Sequence, residues 1–299
     1  MIAALGRHGV VARSQSTRAA ARVARVTDQP FDTFREMMHL EPHGPDVFVG
    51  ESWRYPWGRV YGGQVVAQAL SAAAETVDPD YLPHSLHAYF IRGGTSDEPI
   101  RYEVDRIRNG RSFTTRRVVA RQSNGAILNL SASFHVAEGD MDIQTHQLPD
   151  DIPRPDDLDE DSWAPFMSRR AVPREALGGR TGVWIRLDED LAQLPSPAAQ
   201  TIGLAYASDD VPYDAAASVR PDRPVDHDPD GPHLFVGASL DHAMWFHRPG
   251  RADNWQLHVL EPDGYTGNRG LATGQIFDLD GTHVASVAQE IVLRRNTSL

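Results

Sequence analysis

Ser239, Asp241, His242 and His247 fall within the twelve residues Ala238 to Pro249, a dense run of chemically capable side chains. A hydroxyl, a carboxylate and two imidazoles this close suggest a serine nucleophile with its base, a metal site, or one wall of a site completed from elsewhere. Against the first, Gly237–Asp241 lacks the second glycine of a nucleophile elbow. Against the second, Asp241, His242 and His247 are not spaced to converge from a strand, and His227 and His233 lie in a Pro-rich stretch. The chain has no Cys, so thiolate chemistry is excluded. Gly62 and Gly63 alone are too short to be a phosphate-binding glycine pattern. No metal and no cofactor are expected.

The third reading directs attention elsewhere in the chain. Asp209 lies at the end of a predicted Ala-rich helix that runs from Pro197 to about Tyr206. Ser239 and Asp241 are two apart on a predicted strand and are expected to share a face. Gln289 shares a strand face with Val287 and Ile291; if that face is buried, an unpartnered amide would cost about 1–3 kcal/mol. Upstream, Ser85 to Gly94 echoes the opening stretch: Ser-Leu, then His-Ala, then bulky apolar residues, then Arg and a chain-turning residue. Placing Gly125 on Gly281 puts Ser133 opposite Gln289. The two halves therefore differ at this position, and the second is expected to carry the chemistry.

These residues need a scaffold, and the patterning supplies one twice. Phe31 to His39 has helical spacing, and Val47 to Trp53 reads as a strand. Gly62 and Gly63 open an Ala-rich apolar helix running through Ala74, which lacks a polar face and must be wrapped. Strands follow at 84–91, 100–104, 113–121 and 126–136, with hairpin signals at Asn109-Gly110 and Asn124-Gly125. Residues 137–165 are acidic and Pro-containing, a linker over the surface. The second half repeats the order. A strand at 183–187 and a helix begun by Ser196-Pro197 precede an Asp/Pro-rich loop at 209–233, and strands follow at 234–248, 255–260, 269–277 and 283–293. A helix followed by an antiparallel sheet that wraps it, done twice, is an α+β tandem (double) hot-dog, with two sheets joined side by side. The expected divisions are a basic extension at 1–30, a first domain at 31–136, the linker at 137–165 and a second domain at 166–299.

At 299 residues, 40% hydrophobic and 23% charged, the chain can bury two cores. Its net charge of −12 argues against nucleic acid as a partner. All 29 basic residues apart from His are Arg. Arg92, Arg101, Arg106, Arg108, Arg111, Arg116, Arg117 and Arg121 crowd the first sheet, mostly as outward positions, with a subset suited to phosphate. No run of about 18 apolar residues exists to span a membrane. Residues 1–27 carry Arg7, Arg13, Arg18, Arg22 and Arg25 without an acidic residue or an apolar core, which reads as a frayed extension rather than a secretory signal. A cytoplasmic location is expected.

Five ordered segments resemble the acyl-CoA thioesterase II family: 62–69, 84–92, 204–209, 240–249 and 284–290. The run Asp241-His242-Ala243-Met244-Trp245-Phe246-His247-Arg248-Pro249 is the most specific of them. The resemblance implies a double hot-dog enzyme that releases CoA and free fatty acid from fatty acyl-CoA. It places the family's Asp, Thr/Ser and Gln on Asp209, Ser239 and Gln289. The residues after Asp209 depart from the family, which leaves the acyl preference open. On this reading the three hold and polarise a water that attacks the thioester directly, and Gly62, Gly63 and Gln64 at a helix start supply oxyanion donors. A dimer or tetramer is also implied. A hydratase of the same fold would use an Asp and a His five apart, which Asp228 and His233 mimic without the rest of that motif. A non-catalytic acyl-CoA-binding protein is the other alternative, against which stands the presence of all three polar residues.

Overall fold

The computed structural model describes residues 29–296 apart from 56, 140, 150, 165, 195 and 223–234. The basic stretch 1–28 and the Asp228/His233 pair lie outside the described residues. The first half runs α1 (Phe34–Met38), β1 (Leu40–Pro42), β2 (Val47–Gly50), α2 (Gly62–Ala74), β3 (Tyr81–Phe90), β4 (Ile100–Asn109), β5 (Phe113–Gln122) and β6 (Gly125–Val136). The second runs β7 (Met167–Val172), β8 (Thr181–Leu187), α3 (Ala199–Ala207), α4 (Val211–Ala217), β9 (Phe235–Ser239), β10 (Asp241–Phe246), β11 (Gln256–Thr266), β12 (Arg269–Asp278) and β13 (His283–Arg295).

Among the described residues thirteen strands form one sheet, in the order β1-β2-β4-β5-β6-β3-β10-β13-β12-β11-β8-β7, with β9 also on β13. The two echoing stretches meet at its centre, where β3 and β10 pair antiparallel from Asp241 opposite Tyr89 to Trp245 opposite Ser85. The repeat thus becomes the seam: each copy covers the edge the other would expose. The echo does not superpose its histidines, however. His87 is exposed on the outer face and His242 is buried on the inner one.

The inner face carries the helices. In α2 ten of the thirteen residues are buried, as its apolar composition requires. Its two amides are paired inside the core. Gln64 accepts from Tyr55 Oη at 2.9 Å, and Gln68 donates to the Met37 carbonyl at 2.7 Å and accepts from Tyr102 Oη at 2.6 Å. Packing of α2 against α3 brings the start of one helix to the end of the other.

Several expectations need correction. Residues 211–217 form a helix rather than a loop; Pro212 sits in the first turn, where no helical N–H is lost, and Val211, Ala215, Ala216 and Ala217 are buried. α3 starts at Ala199 behind Ala198, so Pro197 precedes the helix instead of opening it. The strand expected over 234–248 is broken at Leu240. β7 was not anticipated. The acidic linker contains a short helical turn, Pro155–Asp157, and is fastened to the second half rather than merely solvated. Trp184 Nε1 donates to the Pro153 carbonyl at 2.9 Å, Arg154 to the Leu279 carbonyl at 2.6 Å, and Arg248 pairs with Asp142.

Candidate active site

Asp209 stands two residues past the end of α3, where the helix runs into the start of α2. Glycine at both positions of that start allows the close approach. A Cβ on Gly62 would lie 2.5 Å from Asp209 Oδ2, and one on Gly63 would overlap the Tyr206 carbonyl. The close approach lets the Gly63 N–H and the positive end of α2 face the carboxylate. Asp209 is 7% exposed. Burial pushes its pKa up to about 7, against the opposing pull of hydrogen bonds from Gln289, Ser239 and the Gly63 N–H. A carboxylate near 7 can take a proton at neutral pH and return it.

Ser239 reaches Asp209 from the other side of the cleft, donating from Oγ to Oδ1 at 3.2 Å. It also accepts from Gln289 Nε2 at 2.7 Å. A bulge sets this aim. Ser239 pairs with Ile291, and Ala243 pairs with Ala288, so four steps along one strand match three along the other. The extra residue reverses the alternation after Leu240. Ser239 and His242 therefore share the inner face with Gln289, while Asp241 turns away, contrary to the expected two-residue spacing. Asp241 Oδ1 accepts from the Glu290 N–H at 2.8 Å, which satisfies a ladder donor that the bulge frees.

Gln289 is fully buried, and its amide is spoken for at both ends. Nε2 serves Ser239, and Oε1 lies 2.5 Å from His242 Nδ1. His242, 1% exposed, has Ser208 Oγ 2.8 Å from its Nε2. Burial drives its pKa down to about 4, so the ring is neutral near pH 7. His247 is elsewhere, with Nε2 2.9 Å from Ser286 Oγ.

A cavity of about 700 Å³ opens on this cluster. Gly62, Asp209 and Ser239 are in its wall; Gln289 and His242 lie behind them. Trp57, Tyr61, Phe90, Trp163 and Tyr213 supply aromatic surface, and Arg59, Arg92 and Arg169 supply charge. Arg169 is committed to Asp161, Asp210 (2.7 Å) and Asp214. Of the first-sheet arginines, Arg92 alone is in this wall. Arg101 and Arg121 pair with Glu103, Arg106 with Asp46, and Arg117 with Asp105, while Arg116 is buried on Thr76. Of the three proposed backbone donors, Gly62 borders the cavity and the Gly63 N–H is directed at Asp209. The Gln64 N–H bonds to the Tyr61 carbonyl at 3.1 Å.

The first half lacks this chemistry. Ile127 and Val284 are the residues left unpaired by the bulge in each last hairpin. Five residues beyond them stand Ala132 and Gln289, so Ala132 is the inner-face counterpart. Ser133 lies on the other face, 2.8 Å from His84 Nε2. Ala132 pairs with Leu86, an apolar couple where the second half has Gln289 beside His242.

The family model for the acyl-CoA thioesterase N-terminal domain matches residues 51–135, and that for the C-terminal domain matches residues 145–293. Acyl-CoA thioesterase 2 of Haemophilus influenzae is 32% identical over 284 residues, covering 86% of this chain and 96% of that protein. Human acyl-coenzyme A thioesterase 8 is also 32% identical, over 86% and 88%. The crystal structure of an acyl-CoA thioesterase II from Mycobacterium marinum superposes with a TM-score of 0.75 at 36% identity, covering 89% of this chain and 99% of the other. A hot dog fold protein from Alicyclobacillus acidocaldarius, 20% identical with a TM-score of 0.71, covers 88% and 98% and shares the fold. Both family models, relatives matched along nearly their whole length and a common hot-dog fold agree: this chain belongs to the acyl-CoA thioesterase family.

Proposed function

We propose that the chain hydrolyses fatty acyl-CoA to free fatty acid and CoA by direct attack of a water activated at Asp209. As a member of this family it is a thioester hydrolase acting on acyl-CoA. The observation that carries the mechanism is the Asp209 carboxylate in the cavity wall, buried, with its pKa near 7 and hydrogen-bonded to Ser239. Asp209 takes a proton from the water as the water oxygen bonds to the thioester carbon. The resulting oxyanion forms against the start of α2, where Gly62 borders the cavity and its N–H is assigned as the donor. Collapse breaks the C–S bond, and the thiolate leaves and recovers the proton from Asp209. Thiolate is a good leaving group near neutral pH, so no separate general acid is needed. Gln289 holds Ser239 from behind.

The same reading includes the tandem hot-dog division at 31–136 and 166–299 with residues 137–165 as linker. It includes a cytoplasmic homo-oligomer of two or four copies, for which the exposed Tyr89 and Trp245 on the outer face provide apolar surface. Among the described residues no helix is long and apolar enough to cross a membrane. A thiol-release assay over acetyl-, octanoyl- and palmitoyl-CoA is the test. Asp209→Asn and Gln289→Ala are expected to lose at least 100-fold in kcat; wild-type turnover by Asp209→Asn would overturn the reading.

A further inference from the structure

Between them Ser208, His242, Gln289, Ser239 and Asp209 form a chain of hydrogen bonds whose two ends are adjacent in sequence. Ser208 Oγ lies 2.8 Å from His242 Nε2, and His242 Nδ1 lies 2.5 Å from Gln289 Oε1. Gln289 Nε2 lies 2.7 Å from Ser239 Oγ, which is 3.2 Å from Asp209 Oδ1. The Ser208–Asp209 peptide closes the ring. Such a loop carries a direction, because each donor must meet an acceptor.

Asp209 as carboxylate only accepts, so the Ser239 hydroxyl must donate to it. The Ser239 oxygen is then left to accept, and Gln289 must present its NH₂. That turns Oε1 toward His242, and Oε1 can only accept, so Nδ1 must carry the proton. A neutral ring then has its lone pair on Nε2, and the Ser208 hydroxyl, which also lies 2.9 Å from the Ala205 carbonyl, gives its proton to that lone pair in this tautomer. The opposite tautomer would set the Nδ1 lone pair against Oε1 and flip the amide. Ser239 would then face a carbonyl oxygen and would have to donate to it instead of to Asp209.

We propose that His242, in its Nδ1–H form anchored by Ser208, is a positioning residue that sets the direction of the Gln289 amide and thereby aims the Ser239 hydroxyl at Asp209. His242 is 1% exposed and outside the cavity wall, so it acts through Gln289 and not on substrate. Two further observations support this. The corresponding pair in the first half, Leu86 and Ala132, is apolar, so the imidazole is not required to build the strand pair. The Leu240 bulge places His242 rather than Asp241 on the inner face. The inference rests on Asp209 acting as the base.

The test uses the full chain and the fastest-hydrolysed of acetyl-, octanoyl- and palmitoyl-CoA. His242→Leu is expected to lower kcat about 10- to 100-fold with KM changed less than twofold. His242→Asn, whose side-chain N–H occupies the place of Nδ1, should recover most of that loss. Without an anchored Gln289 donor the acid limb of the kcat/KM profile should move to higher pH in His242→Leu. Asp209 would then be faced by Ser239, the Gly63 N–H, Asp210 and the hydroxyls of Tyr55 and Tyr61. Ring ¹⁵N spectra of the unmodified protein should report the Nδ1–H tautomer and no protonation of His242 down to pH 5. An Nε2–H tautomer would overturn the proposal even if His242→Leu fails to fold. So would His242→Leu with wild-type kcat and acid limb, or His242→Asn no better than His242→Leu. These outcomes leave the base reading standing so long as Asp209→Asn is inactive; an active Asp209→Asn would overturn that reading instead.

Discussion

Asp209 concentrates the conflict between stability and activity in one side chain. Its pKa is raised from 3.8 to about 7 because the charged form is buried. The folded state therefore binds this proton more tightly than the unfolded chain does. Its contribution to stability is fully present below about pH 4 and is lost as pH rises through 7. Asp209→Asn removes that loss. The variant is expected to be more stable than wild type at pH 8 by about 2–4 kcal/mol, with the difference vanishing near pH 4. Urea unfolding at the two pH values measures this, and equal stability at pH 8 would contradict the burial account. In activity the sign reverses: kcat/KM should fall about tenfold per pH unit below 7 as the base is protonated. Gln289 stood out by its type on a strand face, Asp209 and Ser239 followed from the family resemblance, and the structure brings the three together. His242 could not be ranked. Its significance depends on the bulge at Leu240, and one unpaired residue in a strand leaves no mark on an alternating pattern.

The decisive element is the start of α2. Apolar composition and the glycine pair identified it as a buried helix with a tight entry, but not what it enters against. That partner, the end of α3 with Asp209, comes from more than 130 residues away, and such pairing has no local signal. The same blindness hid α4, whose Asp, Pro and Tyr read as a loop until the buried face of Val211, Ala215 and Ala216 is seen. Gly62→Ala separates the roles of this helix start. Gly62 is the first residue of α2, has no positive φ, and a Cβ there would meet only side-chain atoms, so the fold should hold. The added Cβ, however, would lie 2.5 Å from Asp209 Oδ2 and 3.0 Å from the Phe90 ring. A loss of at least tenfold in kcat/KM with an unchanged or raised Tm is expected. Full activity in Gly62→Ala would mean that the carboxylate does not need this approach.

At the scale of the molecule, the two halves were legible as a repeat, and their strands, expected as two sheets joined side by side, run on as one sheet of thirteen described strands. What joins them is more than a shared edge. β3 and β10 pair over five residues, with Leu86, Ala88, His242 and Met244 buried beneath. α2 of the first half rests on α3 of the second, and Tyr61 Oη donates to the Tyr206 carbonyl at 3.0 Å. The Tyr55 hydroxyl is 3.5 Å from that of Tyr206, and the ring of Tyr61 stands edge-on to Tyr206 at 5.1–5.2 Å, as does that of Phe34. Separating the halves would expose this apolar seam and strip Asp209 of its Gly63 donor, so neither half has a complete core or site. Cooperative units follow packed interfaces, not repeat boundaries. The chain is therefore expected to unfold in a single transition, with Trp fluorescence, far-UV dichroism and loss of thioesterase activity sharing one urea midpoint. Two separated transitions, with activity lost in the first, would show that the seam is weaker than its burial implies and that the halves are autonomous domains.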